Sequence, residues 1–166
     1  MCCLFGFYHY GGGKIDKLSR LTNLLAENAT VRGTDAAGIA CNDRGKLIIH
    51  KEAKAAYNID FKHPESVVCV TGHTRHATQG DKKKNYNNHP FAGACKNLKF
   101  ALSHNGVLIN DADLKKQYHL PKTKIETDSY IAVQLLEKKK QLNVDSVKFM
   151  AESIGTSCDI RTRFLK

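Results

Sequence analysis

Apolar runs separated by glycine, asparagine and lysine fill the first two-thirds of the chain. Five of them have the length and the β-branched or aromatic content of strands: residues 3–8, 38–41, 46–50, 67–71 and 98–103. The second and third runs flank Asn42-Asp43-Arg44-Gly45, a turn sequence that predicts a hairpin between them. The stretch 77–96 is rich in glycine, asparagine and lysine, so we expect a long excursion that carries function.

Helical periodicity appears in three places. After a glycine turn at 11–13, helical spacing extends to about Ala29, and the expected apolar face consists of Ile15, Leu18, Leu21, Leu24 and Leu25. A short helix is expected over 111–118. A longer helix opens at Thr127 and Asp128, and its apolar face consists of Ile131, Ala132, Leu135 and Leu136. Strands combined with two substantial helices predict one α+β layered domain over 1–166, in which 153–166 is an atypical tail.

Composition agrees with an average globular domain, because 42% of the 166 residues are hydrophobic and 25% are charged. No apolar run approaches the roughly 20 residues of a membrane-spanning helix, and the first ten residues lack the features of a signal peptide. We therefore expect a cytoplasmic protein. The six cysteines include no C-x-x-C pair, so reduced thiols are expected.

The formal net charge of +10 makes weak binding of nucleic acid through phosphates an alternative to consider. The basic runs are short, however: 82–84 lies in the expected loop and 138–140 at the end of the expected helix. Neither run is interleaved with the aromatic residues on which bases would stack. A solvated basic surface is the favoured interpretation, and a nucleic-acid partner is not expected.

The N-terminal sequence raises the possibility of terminal-nucleophile chemistry. Removal of Met1 would leave Cys2 with a thiol and a free α-amino group on one residue. An α-amine titrates near pH 7.7 and a thiol near pH 8.5, so close to neutrality the amine can draw the thiol proton. Taken alone, the dipeptide Cys2-Cys3 is equally compatible with an ordinary structural position.

Other residues have a functional and a structural interpretation. Arg75, at a strand end, can form a bidentate pair with a carboxylate, to which Thr78 could add a hydroxyl, or it can form a surface salt bridge. Asn105 and Gly106 suit an oxyanion hole, although Asn-Gly is also the commonest two-residue hairpin turn. Asp128 can pair with a substrate ammonium or cap a helix.

Histidine and cysteine spacing gives no support for a metal site. The candidate ligands are His73, His76, His89, His104, Cys69 and Cys95. None of them falls in a recognised ligand pattern, so neither a metal nor another cofactor is expected.

Five short blocks, taken in order, resemble the class II glutamine amidotransferase domain of the N-terminal-nucleophile hydrolases. They are Met1-Cys2-Cys3-Leu4-Phe5-Gly6, the R-G-T-D-A-A-G block at 32–38, the G-H-T-R-H-A-T-Q-G block at 72–80, H-N-G at 104–106 and E-T-D at 126–128. The resemblance covers residues 2–152. It implies a four-layer α-β-β-α sandwich, which in this chain would be C-terminally truncated, because 153–158 replaces an expected strand.

The resemblance also implies roles for the matching residues. Cys2 would attack the side-chain amide of glutamine and form a thioester, with Asn105 and Gly106 stabilising the oxyanion. The expected substrate-binding residues are Arg75, Thr78, Asp128 and Arg32. Glutamate and ammonia would be released, and a synthase subunit could accept the ammonia. Cys3 and His76 depart from the family pattern, in which glycine and a larger aromatic residue are usual. The alternative is a truncated, inactive domain that binds glutamine or a protein partner without turnover.

Overall fold

The computed structural model describes residues 2–11, 16–96 and 98–155. The strands of this part of the chain are β1 Cys3–Tyr8, β2 Ala36–Asp43, β3 Lys46–Glu52, β4 Cys69–Arg75, β5 Phe91–Cys95 and β6 Leu98–Leu102. Its α-helices are α1 Leu18–Ala29, α2 Asp111–Gln117, α3 Tyr130–Lys139 and α4 Val144–Ser153. Short 3₁₀ turns lie at Thr30–Arg32, Ala56–Asn58 and Asn85–Asn87.

A four-stranded antiparallel sheet of order β1-β4-β2-β3 carries the N-terminus. Its central strands β2 and β4 are buried at nearly every position, because both of their faces are covered. Ile39 and Val70 pack with Ala26 of α1 on one face. On the other face, Ala40 and Cys69 pack against Ala101 of β6. The alternation of side chains along β2 and β4 therefore divides them between a helix and a second sheet.

The second sheet is the antiparallel pair β5-β6, and its outer face is covered by the C-terminal helices. Phe91 and Phe100 of this pair are buried with Ile131 and Leu135 of α3 and with Met150 of α4. The order of layers is therefore α1, the four-stranded sheet, the two-stranded sheet, then α3 with α4. This is the α-β-β-α sandwich that the sequence predicts.

Several sequence predictions are confirmed and several are corrected. β1 and the 42–45 hairpin lie where the pattern predicts them, and all four predicted apolar residues of α3 are buried. The predicted apolar face of α1 is confirmed at Leu18 and is wrong at Leu21 and Leu24, which are 36% and 55% exposed. The other buried residues of this helix are Thr22, Ala26 and Ala29. Small residues face the sheet because they let the helix pack closely onto it. Ile15 and most of the 11–13 turn lie outside the described residues.

The second half of the chain holds more regular structure than its composition indicates. The 77–96 excursion ends in β5, and the helix α4 was not predicted. Ser153, the first residue of the expected tail, is the last residue of α4, and Gly155 donates its N–H to Asn110 Oδ1 at 2.9 Å. Residues 156–166 lie outside the described part. Within the described ranges, no helix has both the length and the apolar character needed to cross a membrane.

Candidate active site

Cys2 lies beside the C-terminal end of β4, because β1 pairs with β4 in a fixed register. Cys3 stands opposite Thr74, so the preceding residue reaches the end of β4 and the start of its loop. The Cys2 thiol donates to the His76 carbonyl at 3.5 Å and accepts the His76 N–H at 3.4 Å. The half-buried thiol is thus held between the two backbone polar groups of one residue.

Opposing influences act on the Cys2 thiol. Burial raises its pKa, and the negative charge of Asp128 adds to this effect. The His76 N–H and the positive charge of Arg75 act in the opposite direction, but the net pKa remains above its ordinary value. The thiol is therefore protonated at neutral pH in this geometry, and its use as a nucleophile requires a base.

Arg75, the last residue of β4, organises the loop that follows it. Its side chain is 3% exposed. The guanidinium donates from Nη1 to Asn88 Oδ1 at 2.6 Å and from Nη2 to the carbonyls of Gln79 and Gly80. The surface salt bridge considered from the sequence is thus wrong. Among the described residues, these three bonds leave two of the five N–H donors, one on Nε and one on Nη1, for a ligand.

Two consecutive asparagines connect this loop to the rest of the site. While Asn88 engages Arg75, the amide of Asn87 donates to Asp81 O at 3.0 Å and to Glu126 Oε2 at 2.9 Å. Asn87 also accepts the Glu126 N–H at 2.8 Å. The loop after β4 is therefore fastened to the segment that leads into α3. At Glu126, bonds from Lys84 Nζ, the Asp81 N–H and Asn87 outweigh the effect of burial and lower the carboxyl pKa to about 2.

Asp128 is 4% exposed and is not a simple helix cap. Its Oδ2 accepts the Leu108 N–H at 2.6 Å and its Oδ1 accepts the Ser129 N–H at 2.8 Å. The N-cap position is Ser129, whose side chain makes no capping bond. The Ser129 hydroxyl also donates to Oδ1 at 3.4 Å. Asp128 therefore joins the start of α3 to the chain that follows β6, and Oδ2 keeps a lone pair for a further donor.

Asn105 and Gly106 belong to the connection between β6 and α2. Both are half-buried and neither has a positive φ, and within the described part of the chain no later strand pairs with β6. The hairpin-turn interpretation is therefore wrong. His104 Nδ1 lies 2.9 Å from Ser129 Oγ, so this connection is held next to Asp128. The negative charge of Asp128 adds to the raised pKa of the Cys2 thiol and opposes the lowering of the His104 pKa.

The two remaining candidate residues, Thr78 and Arg32, are exposed on the surface. Thr78 is exposed on the loop after β4. Arg32 is also exposed, at the end of the 3₁₀ turn Thr30–Arg32. It lines a cleft of about 340 Å³ together with Gly33 and His76. His76 is thus shared between this cleft and the backbone bonds that hold the Cys2 thiol.

Asp35 is a residue whose importance the sequence does not single out. Its Oδ2 accepts the Ala77 N–H at 2.9 Å, and its Oδ1 lies 2.5 Å from Lys82 Nζ. Its own N–H donates to the Arg75 carbonyl at 3.0 Å. Burial would raise the pKa of the Asp35 carboxyl, but the bonds from Lys82 and Ala77 outweigh it and lower the pKa. The side chain of His76 adds to the lowering, with Nδ1 at 3.8 Å from Oδ2.

Three buried histidines lie beneath these residues, between the two sheets. The ring centroids of His73 and His89 are 4.2 Å apart. Neither ring has a hydrogen-bond partner for its nitrogens among the described residues, and His104 Nε2 has none. Burial lowers the pKa of all three, in His73 to about 3. The three rings are therefore neutral at physiological pH. Within the described residues, no cluster of three or more His, Cys, Asp and Glu side chains could hold a metal ion.

In this chain an N-terminal strand places a thiol at the end of a central strand, inside an α-β-β-α sandwich. These features define the N-terminal-nucleophile hydrolase fold. Solved structures share this architecture. The chain matches a glutamine phosphoribosylpyrophosphate amidotransferase from B. subtilis with a TM-score of 0.69 and 24% identity. It matches a structure described as the allosteric regulatory enzyme of purine biosynthesis with a TM-score of 0.72 and 23% identity. Each match covers 92% of this chain and 33% of the other.

Sequence comparison identifies the family. The chain is 37% identical over 142 residues to a glutamine–fructose-6-phosphate aminotransferase of Bacillus thuringiensis and 35% identical over 145 residues to one of Staphylococcus aureus. These alignments cover 84% and 82% of this chain. The chain belongs to the class II glutamine amidotransferase domains. It spans 22% of the length of these relatives. No protein-family model matches the chain.

Proposed function

We propose that the chain is a glutaminase that hydrolyses the side-chain amide of glutamine to glutamate and ammonia. One observation carries this proposal: the Cys2 thiol is hydrogen-bonded at the residue that follows the buried Arg75. A nucleophile and a cation for a carboxylate thus share one strand end, within a domain whose relatives are named for their use of glutamine.

The base for the reaction would be the α-amine of Cys2 after removal of Met1. The thiol proton passes to this amine, directly or through a water molecule, because the raised thiol pKa leaves the sulfur protonated at rest. The thiolate then attacks the amide carbon of glutamine, and the carbonyl oxygen becomes an oxyanion. The Asn105 side chain and the Gly106 N–H are the proposed donors to this oxyanion.

Collapse of the tetrahedral intermediate breaks the carbon–nitrogen bond. The α-ammonium of Cys2 returns its proton to the leaving nitrogen, so ammonia departs and a glutamyl thioester remains. Water then adds to the thioester with the same amine as base. The carbon–sulfur bond breaks, glutamate is released, and the thiol regains its proton. The cycle consumes only glutamine and water.

Substrate recognition is proposed to use the two charges of the amino acid. The two unengaged N–H donors of Arg75, with the Thr78 hydroxyl, would bind the α-carboxylate. The α-ammonium would pair with the carboxylate of Asp128. Arg32 lines the adjoining cleft and is proposed to contact the terminal residue from that side. The ammonia would serve an acceptor site outside this chain, since the relatives are aminotransferases about four times its length.

The test is incubation of the chain with glutamine after intact-mass measurement has established removal of Met1. We expect equal amounts of glutamate and ammonia, and modification of Cys2 by a diazoketone analogue of glutamine. Cys2→Ser should abolish both signals, whereas Cys3→Ser serves as the matched control on the neighbouring thiol. Glutamine binding without glutamate release would support the non-enzymatic alternative. Absence of glutamate together with an unmodified Cys2 would refute the proposal.

A further inference from the structure

The two backbone groups that hold the Cys2 thiol belong to two consecutive peptide units. The His76 N–H is one end of the Arg75–His76 peptide, and the Arg75 carbonyl is its other end. The His76 carbonyl is one end of the next peptide, whose other end is the Ala77 N–H. Because a peptide unit is planar and trans, its N–H and its carbonyl point in opposite directions. Fixing the far end of each unit therefore fixes the end that faces the thiol.

Asp35 binds both far ends. Its backbone N–H donates to the Arg75 carbonyl at 3.0 Å, and its Oδ2 accepts the Ala77 N–H at 2.9 Å. We propose that Asp35 is a positioning residue for the nucleophile, which orients the His76 N–H and carbonyl toward the Cys2 thiol. This inference rests on the proposed function. In the proposed reaction Asp35 contacts neither the thiol nor the substrate, so it acts only through residues 75–77.

The surroundings of Asp35 support a fixed orientation. A Cβ atom added to Gly33 would lie 2.5 Å from the Arg75 carbonyl carbon and 2.8 Å from the His76 nitrogen, so the 33–35 segment presses directly against the strand end. Lys82 Nζ holds the second carboxylate oxygen at 2.5 Å. Asp35 is thus held by its backbone, by the loop and by close packing. Loss of its carboxylate frees the His76–Ala77 peptide to rotate, while the Arg75–His76 peptide stays bound.

Three variants separate the contributions. Asp35→Ala removes the acceptor for Ala77, Asp35→Asn keeps an acceptor oxygen without the charge, and Lys82→Met removes only the ion pair. The matched control is Asp60→Ala, which removes an exposed carboxylate paired with Lys62 at 3.1 Å on another part of the surface. Each variant is prepared without Met1, and its fold is checked by a cooperative thermal transition.

The first readout is the rate of Cys2 alkylation by iodoacetamide as a function of pH, with Cys2 identified by peptide mapping. It needs no glutamine, so it remains valid if the proposed function fails. We expect Asp35→Ala to move the alkylation midpoint to lower pH, because the rotated His76–Ala77 peptide no longer offers its carbonyl to the protonated thiol, while the His76 N–H still donates to the thiolate. Asp35→Asn, Lys82→Met and Asp60→Ala should keep the wild-type midpoint. If Asp35→Ala does not fold, Asp35→Ser, whose hydroxyl is too short to reach Ala77, takes its place.

The second readout is steady-state hydrolysis of glutamine. Loss of one hydrogen bond to a charged acceptor predicts a kcat about 10- to 100-fold lower in Asp35→Ala, with KM changed less than about threefold. A wild-type alkylation midpoint in a folded Asp35→Ala variant would overturn the inference. So would a midpoint in Asp35→Asn shifted as far as in Asp35→Ala. If the wild type shows a normal alkylation profile but makes no glutamate, the proposed function fails and the role of Asp35 stands.

Discussion

The buried histidines predict a specific acid sensitivity of the fold. His73 is fully buried, and its pKa lies at about 3 because burial and the positive charge of Arg75 disfavour its charged form. The His104 backbone acts in the opposite direction but forms no well-defined hydrogen bond with the ring. His89 lies against it with a pKa lowered by burial, by His73 and His104, and by the charges of Arg75 and Lys51. Asp128 opposes the lowering at His104.

The sign of the effect follows from linkage. The folded-state pKa of His73 lies below the roughly 6.5 of an unfolded histidine, so the unfolded chain binds the proton first as the pH falls. The stabilising contribution of neutral His73 is complete above pH 6.5 and is lost as the pH decreases toward 3. At pH 5 the loss is about 1.36 kcal/mol for each of 1.5 pH units, or about 2 kcal/mol from this histidine alone. That is a large fraction of the 5–15 kcal/mol typical of a domain.

The perturbation is His73→Phe, which keeps a ring against His89 and removes the titrating group. The free energy of unfolding is measured by urea denaturation at pH 7 and at pH 5 in the wild type, in His73→Phe and in the exposed control His119→Asn. We expect the difference between the two pH values to be about 2 kcal/mol smaller in His73→Phe than in the other two proteins. Equal differences in all three proteins would refute the reasoning, whatever the absolute stability of each variant.

Three further substitutions test the contacts around the site. Arg75→Lys keeps the charge but can replace only one of the three guanidinium bonds. We therefore expect the free energy of unfolding in urea to fall by about 2–4 kcal/mol and the KM for glutamine to rise. An unchanged KM would count against Arg75 as a substrate ligand. Gly33→Ala places a methyl group 2.5 Å from the carbonyl carbon of Arg75 and should lower kcat about tenfold or more in the glutaminase assay. The control Gly45→Ala adds a methyl group in an open turn and should leave kcat unchanged. Lys51 donates to the carbonyls of Asn88 and Pro90 at 2.6 and 3.0 Å. Lys51→Met should therefore reduce the free energy of unfolding by about 1–3 kcal/mol. A stability equal to wild type would show that water replaces both bonds.

The layered fold follows from the sequence because the strongest patterns are local. The apolar and aromatic run of β1 and the turn at 42–45 each determine an element without reference to the rest of the chain. The buried face of α1 could not be predicted in this way. Leucine at helical spacing favours one face, but close approach to the sheet selects the face carrying Thr22 and Ala26. Such a selection depends on the partner surface, which no local pattern describes.

The candidate site divides along the same line. Cys2, Arg75 and Asp128 are identifiable because their types and spacing match known blocks, and the structure brings the three into one electrostatic environment. Asp35 and Asn87 were missed as functional residues, although Asp35 lies inside the R-G-T-D block. Their roles consist of bonds to the backbone of distant segments, and such bonds leave no signature in residue type. The signal in the sequence is the acidic residue Asp35 inside the short block that also contains Arg32.

The central strand β4 explains why stability and function are coupled in this domain. Its side chains alternate, so Thr74 turns toward α1 and donates to the Ala29 carbonyl at 2.8 Å, whereas His73 and Arg75 turn toward the second sheet. One face of a single strand therefore carries both the neutral histidine and the arginine that holds the site loop. Protonation of His73 introduces a second positive charge two residues from Arg75, on the same face. Acid should thus disturb the loop around the nucleophile before the α1 side of the sheet, because the two faces are packed by independent sets of contacts.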